Sequence, residues 1–422
     1  MTQTVPQPEP APVIAWPSRF GRRLKFCAVL VLGLACLTVC VVVWQRLATE
    51  RWWKAGMASI PRGDIVMMDK AIRHLPANSS RVRLLRGAIN LRNDRPETAL
   101  RNLEGAVQDP ETALWAQFLA GEALCRLQDY EACIKTLQGA LEQDPNNVDG
   151  HRWLAVAYFD IGAAAEAVEQ MKTVARLDDA DPRSYRMLGL IYTEAEEFPQ
   201  AIEAYQASLD RSRDQPDMDQ ILAELATAQL KVNRNVEVLA TLEGAPASAE
   251  LDSLQAEALY ALGRNDEAKQ IVQRVLRAGK TARALVLQGL MLLDERRAAE
   301  AVAPLQSAVA LHPEDFETRA KLTQAYSQAG NVNAARHELA EFERIKKVRQ
   351  EIHELTLIAA NRPEAVEVRY ELGLHYRQLG LIPIARKWIR AALALDPAHP
   401  AARKLLAEIS DATSTSDRNS NQ

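Results

Sequence analysis

Catalytic vocabulary is what this chain most lacks. Its 422 residues hold no P-loop, no dinucleotide glycine fingerprint and no GxSxG elbow. His337-Glu338 and His353-Glu354 open like the zinc-protease HExxH motif, but Glu341 and Leu357 stand where its second histidine belongs. The expectation is a protein that is no enzyme and uses no cofactor or metal. Cysteine is scarce too: five residues in so long a chain exclude a disulfide-dense scaffold. A net charge of −4 argues against nucleic acid as a partner. Charged residues make up 25%, which is ordinary, so disorder does not describe the chain as a whole.

What is present is unevenly placed. Five of the twenty prolines fall within the first 17 residues, and a basic cluster of Arg19, Arg22, Arg23 and Lys25 follows. Residues 1–24 are expected to form a disordered tail. Phe26 to Gln45 then runs twenty residues without a charge. At about 1.5 Å per residue this reaches the roughly 30 Å of a bilayer core, so a single transmembrane helix is predicted over 25–46. Trp44, Trp52 and Trp53 suit an interfacial aromatic belt. The run exceeds the roughly 7–15 apolar residues of a signal peptide, which favours an uncleaved anchor. Basic residues flank both ends, with a small excess before the span, and this slightly favours a cytoplasmic amino terminus and an extracytoplasmic carboxy-terminal domain. Beyond residue 59 lie 44 basic and 53 acidic residues, a balance near −9, so this domain is not expected to cling to anionic lipid.

The remainder repeats. Gly87, Gly121, Ala155 and Gly189 are 34 residues apart. The clearest unit reads Tyr185, Leu188, Gly189, Tyr192, Phe198, Ala201, Tyr205, Leu209, and a late one reads Leu372, Gly373, Tyr376, Gly380, Ala385, Trp388, Ala391, Pro397. Apolar residues at helical spacing mark a first helix, a turn often carries glycine (Gly162, Gly263, Gly330, Gly380), and a second helix tolerates proline in its first turn. Small residues let the two helices approach, as in Gly189 facing Ala201. Asp-Pro closes units at 109–110, 144–145 and 396–397.

This pattern resembles the tetratricopeptide repeat (TPR) family, and with the anchor it looks like a membrane-anchored bacterial TPR protein. The resemblance implies an all-α fold, an α-solenoid preceded by the single transmembrane helix. A degenerate helical segment is expected over 55–79, and an array over 80–410 of about nine repeats with a capping helix. Units start near residues 80, 114, 148, 182, 219, 249, 282, 316 and 366, and a polar tail covers 411–422. The unit at 219–246 is short. Pro304 falls inside a second helix, where a kink is expected. Residues 334–360 lack glycine and proline, predicting one long helix or two with a poorly marked break.

Solenoids of this family bind peptides on a concave surface lined by first helices. The matching positions give a candidate partner-binding groove of Trp115, Phe118, Arg152, Trp153, Phe159, Arg183 and Arg186. Aromatics beside arginine are a usual hot-spot composition. The family's carboxylate clamp is not matched, because its slots hold Phe118 and Glu122, Arg152 and Val156, Arg186 and Leu190. An acidic or amphipathic peptide remains the expected ligand. Cys125 and Cys133 read either as small packing residues or, in an exported domain, as a disulfide. The leading functional expectation is a membrane-tethered adaptor in envelope or secretion-complex assembly. A regulatory subunit of a membrane-associated enzyme complex and a homo-oligomeric structural protein, joined through the 334–360 helix, are the alternatives.

Overall fold

The computed structural model describes residues 18–409 apart from Pro363; for residues 18–36 and Ala360 it describes the backbone alone. The tail expected over 1–24 therefore lies outside the described residues up to position 17, and the one over 411–422 entirely so. The described chain is helical, with no strand among the described residues. It divides into two compact units, 1–95 and 96–422.

The first unit holds α1 (Ser18–Ser59), α2 (Ile65–His74) and α3 (Ser80–Arg92). α1 does not stop at residue 46 but runs on without a break into the segment expected to start at 55. Its last turns pair with α2 as the degenerate first hairpin. Gly56 makes that possible: a Cβ there would stand 2.9 Å from Leu85 and 3.0 Å from Ala71. The aromatic belt needs correcting at two positions. Trp53 is buried with Arg81 over its ring, and Trp52 stacks on His74 with centroids 4.2 Å apart. They pack the hairpin, and only Trp44 stands exposed. Among the described residues no helix is long and apolar enough to cross a membrane. More than half of the expected span, 25–36, lies where side chains fall outside the description. The −9 balance beyond residue 59 also hides a contrast, because residues 60–95 carry eight Lys and Arg against three Asp and Glu.

The second unit runs α4 (Pro96–Val107), α5 (Ala113–Arg126), α6 (Tyr130–Gln143), α7 (Val148–Asp160), α8 (Ala164–Leu177), α9 (Pro182–Glu194) and α10 (Phe198–Arg211). It continues through α11 (Met218–Lys231), α12 (Asn235–Thr241), α13 (Ala249–Ala261), α14 (Asn265–Ala278), α15 (Ala282–Asp294) and α16 (Ala298–Leu311). It ends with α17 (Phe316–Gln328), α18 (Val332–Asn361), α19 (Val366–Gln378), α20 (Ile382–Leu395) and a helix over 400–409. The shortened repeat is real: α12 has seven residues, with Val238 fully buried against its neighbours. α16 passes through Pro304 uninterrupted. The segment 334–360 lies in one helix of 30 residues.

Two devices fix the hairpin. First, the glycine of the first helix faces a residue sixteen positions on. A Cβ at Gly121, Gly289 or Gly373 would lie 2.3–2.5 Å from Leu137, Leu305 or Ile389. At Gly189 the obstacle is the Tyr205 ring, 2.6 Å away, rather than Ala201 as expected. The tyrosine wins because its ring reaches back a full turn across the interface. Second, each first helix ends in a left-handed residue whose successor donates its N–H five residues back, as in Ala163 to Tyr158 (2.8 Å) and Glu197 to Tyr192 (2.8 Å). Glycine fills this position at 162, 263, 330 and 380, but Gln128, Glu196, Asn233 and Arg296 hold it without glycine.

The second unit also closes on itself. Trp388 of α20, 4% exposed, sets its ring against Gly162 at the α7–α8 turn. Arg369 of α19 is fully buried and donates from Nε to the Ile161 carbonyl (3.1 Å), 208 residues away. Lys387 pairs with Glu194 (2.8 Å) and lies 3.8 Å from the Phe159 ring centroid. One apolar cluster therefore joins Cys133, Leu154 and Ile161 to Ile352, Leu372 and Trp388.

Candidate functional site

The expected groove residues are not brought together as an open surface. Phe118 is buried, with its ring 2.6 Å from where a Cβ on Gly150 would stand, so it packs α5 on α7. Trp153 lies under the Arg126 guanidinium (5.4 Å) against the apolar cluster, and Phe159 lies under Lys387. Trp115 is half-buried on α5. The arginines are engaged within the chain. Arg152 (2.9 Å) and Arg183 (2.8 Å) converge on Asp181 of the α9 N-terminus, while Arg186 bridges to Asp217 (3.0 Å) and Glu224 (3.3 Å) of the next repeat. Burial alone would raise the Asp181 carboxyl, but the bonds from Arg183 and the charge of Arg152 hold it below its usual range. The arginines are thus not free: for Arg152 and Arg186 the next repeat supplies a carboxylate, and for Arg183 the N-cap of its own helix does. Acidic residues about 30 positions on reach Arg152 and Arg186, a pairing that no local spacing in the sequence marks.

Cys125 and Cys133 are bonded, with Cα atoms 5.4 Å apart, inside the range a disulfide spans. The bond staples the α5–α6 turn. Beside it the Tyr130 hydroxyl donates to Asp160 (3.0 Å). Burial raises the Asp160 carboxyl, an effect Lys387 opposes.

The open concave surface lies further along, on α11, α13, α15 and α17. These first helices run side by side, α11 against α13, α13 against α15 and α15 against α17. They line a cleft of about 810 Å³ with Arg349 of α18 on its far wall. The floor is apolar: Leu230, Tyr260, Val286, Leu290 and Phe316. Val286 and Leu290 occupy, relative to Gly289, the slots held earlier by Arg152 and Val156 or Arg186 and Leu190. Glu250 and Glu257 both meet Arg283. Lys231, Lys321 and Arg349 carry no carboxylate partner among the described residues, and Asp315 is spent on capping α17. The Tyr260 hydroxyl donates to Asp294, and burial with that carboxylate pushes it up to about 12. Glu314 and Glu317 line it as well, so the arrangement offers an apolar trough with charges of both signs at its margin, suited to a peptide bearing apolar anchors. Sequence reading missed it because plain aliphatic residues fill the inward slots here and do not stand out as tryptophan and arginine do. Among the described residues no group of three or more His, Cys, Asp or Glu could hold a metal ion.

Comparison with known proteins agrees with this architecture. A TPR repeat family model matches residues 121–162. A tetratricopeptide repeat model matches 164–216, 253–316 and 354–409, and a second one matches 292–356. Together they cover more than half of the chain. No curated protein matches it significantly. Among solved structures, a tetratricopeptide repeat protein of Parabacteroides merdae is 14% identical, over 58% of this chain and 98% of its own, with TM-score 0.41. The pilF protein of Pseudomonas aeruginosa is 16% identical, over 50% and 99%, also at 0.41. A MamA fragment from Desulfovibrio magneticus is 21% identical, over 40% and 93%, at 0.36. At such scores these likenesses carry no argument about function.

Proposed function

The chain belongs to the tetratricopeptide repeat family, and from that premise we propose that it is a non-enzymatic, membrane-tethered scaffold. It holds partner proteins in the concave trough of α11–α17. The observation that carries this is the trough itself: apolar Leu230, Val286 and Leu290, edged by charges of both signs, Lys231, Lys321 and Arg349 with Glu314 and Glu317. The uncharged run Phe26–Gln45 supports the tether. Tethering raises effective concentration, so modest trough affinities suffice for assembly at a membrane, as in envelope or secretion complexes. The Cys125–Cys133 bond supports an extracytoplasmic array, because disulfides persist in oxidising compartments.

Crosslinked pull-down from membranes tests the scaffold, comparing the native chain with Val286→Asp/Leu290→Asp. Both side chains are only partly buried, so the variant should fold and lose the main partner. Undiminished capture would move the site elsewhere. Protease accessibility in intact cells reads the orientation directly, and a shielded array would reverse the proposed topology.

A further inference from the structure

The first unit carries a feature that the scaffold reading leaves unused. Six exposed cations, Arg46, Arg51, Lys54, Lys70, Arg83 and Arg86, have no carboxylate partner among the described residues. Their placement follows from helix registers. α2 runs back along α1, with His74 stacked on Trp52, so Lys70 lies one turn farther from Gln45 than Trp52 does. α3 runs with α1: Arg81 lies over Trp53 and bonds Glu50 (3.0 Å), and Leu85 faces Gly56. Measured along α1 at about 1.5 Å per residue, all six fall within roughly 20 Å of Gln45.

The same end of the unit is apolar. Trp44 and Leu47 are 71% and 65% exposed. A cleft of about 960 Å³ opens between α1 and α2, lined by Trp44, Leu47, Arg51, Trp52, Met67 and His74. Large exposed apolar side chains above a ring of unpaired cations match the interior, headgroup and aqueous layers of a charged bilayer surface.

We propose that α1–α3 is a basic collar seated on anionic phospholipid headgroups, with Trp44 and Leu47 at the acyl boundary. This rests on the tether reading, which places Gln45 at the end of a span. Arg46 then lies within the headgroup layer, about 5–8 Å thick, and Arg51, about 9 Å along α1, at its outer edge. Lys54, Lys70, Arg83 and Arg86 lie within about one Debye length of its surface. The collar holds the first hairpin upright on the membrane, and the strongly acidic repeats that follow are not attracted to it.

The test uses the full-length protein in nanodiscs of phosphatidylcholine alone or mixed with phosphatidylglycerol. Arginine labelling by phenylglyoxal is mapped by mass spectrometry, with Arg349 as reference. At about 0.05 M salt, Arg51, Arg83 and Arg86 should label at least about threefold more slowly in the anionic discs, and about 0.5 M salt should remove the difference. Equal labelling in both discs overturns the collar while leaving the tether intact. Protein that enters neither disc overturns the tether itself. Protection of the same arginines by a DNA duplex, but not by phosphatidylglycerol, would make the collar a nucleic-acid site and overturn the lipid assignment.

Discussion

Replacing Gly162 by alanine probes the seam where the second unit closes on itself. Gly162 and Gly330 both end a first helix in the left-handed region, at φ +74° and +82°. At Gly330 an added Cβ meets nothing within 4 Å, so Gly330→Ala costs only the left-handed penalty, about 1–2 kcal/mol. At Gly162 the same methyl stands 2.3 Å and 2.4 Å from ring atoms of Trp388. That ring is almost wholly buried and has no room to swing aside. Overpacking of this kind adds about 1–3 kcal/mol, borne by the contact between α20 and the α7–α8 turn. A repeat array does not unfold as one cooperative body, so a single melting temperature is the wrong readout. Hydrogen exchange resolves it. Amides of α19 and α20 should exchange roughly 5- to 150-fold faster in Gly162→Ala than in Gly330→Ala. Shrinking the ring in Gly162→Ala/Trp388→Leu should recover part of the loss as a coupling energy. Equal exchange of α19–α20 in the two single variants would refute the reasoning.

Gly139→Ala, at an exposed helical site with nothing within 4 Å of the added Cβ, should stabilise α6 by about 0.5–1 kcal/mol, read as slower local hydrogen exchange, whereas Gly189→Ala should destabilise α9–α10 by about 1–3 kcal/mol against the buried Tyr205. The Asp181 carboxyl is lowered from 3.8 in the folded chain, so its clamp on Arg152 and Arg183 stabilises above that pH and is lost as pH falls through the folded value. Asp181→Asn should therefore cost about 1–2 kcal/mol at pH 7 and nothing once the native carboxyl is protonated, as read by exchange at the α9 N-terminus. Asp160 runs the other way: its raised carboxyl favours the folded state below 3.8 and loses that contribution as pH rises through the folded value. Reducing the Cys125–Cys133 bond, which closes a loop of eight residues, should lower the stability of the α5–α6 hairpin by about 2–3 kcal/mol, visible as faster exchange there alone.

The repeat was legible because its phase is set by small residues. Gly121, Gly189 and Gly373 are visible in the sequence for the reason they matter in the fold, since nothing larger fits opposite Leu137, Tyr205 and Ile389. The turns were half legible. Gly162 and Gly330 announce themselves, but Gln128 and Arg296 hold the same left-handed backbone by virtue of the hydrogen bonds around them. The site was the least legible part. Trp153, Arg152 and Arg186 look like ligand contacts in one dimension, yet their partners Arg126, Asp181 and Glu224 lie about 30 residues away or more. No local spacing rule pairs them. Arg369 with Ile161, and Trp388 with Gly162, are separated by more than 200 residues and had no signal at all.

That long-range seam also limits how the array can evolve. An open stack gains or loses a unit at little cost, because each repeat touches only its neighbours. Here, removing one hairpin between α9 and α18 would rotate and shift α20 by one step. Trp388 would miss the α7–α8 turn, and the guanidinium of Arg369 would be left buried without the Ile161 carbonyl. The number of intervening repeats is thus a closure condition, and insertions are expected to be accepted in the loops and rejected as whole units.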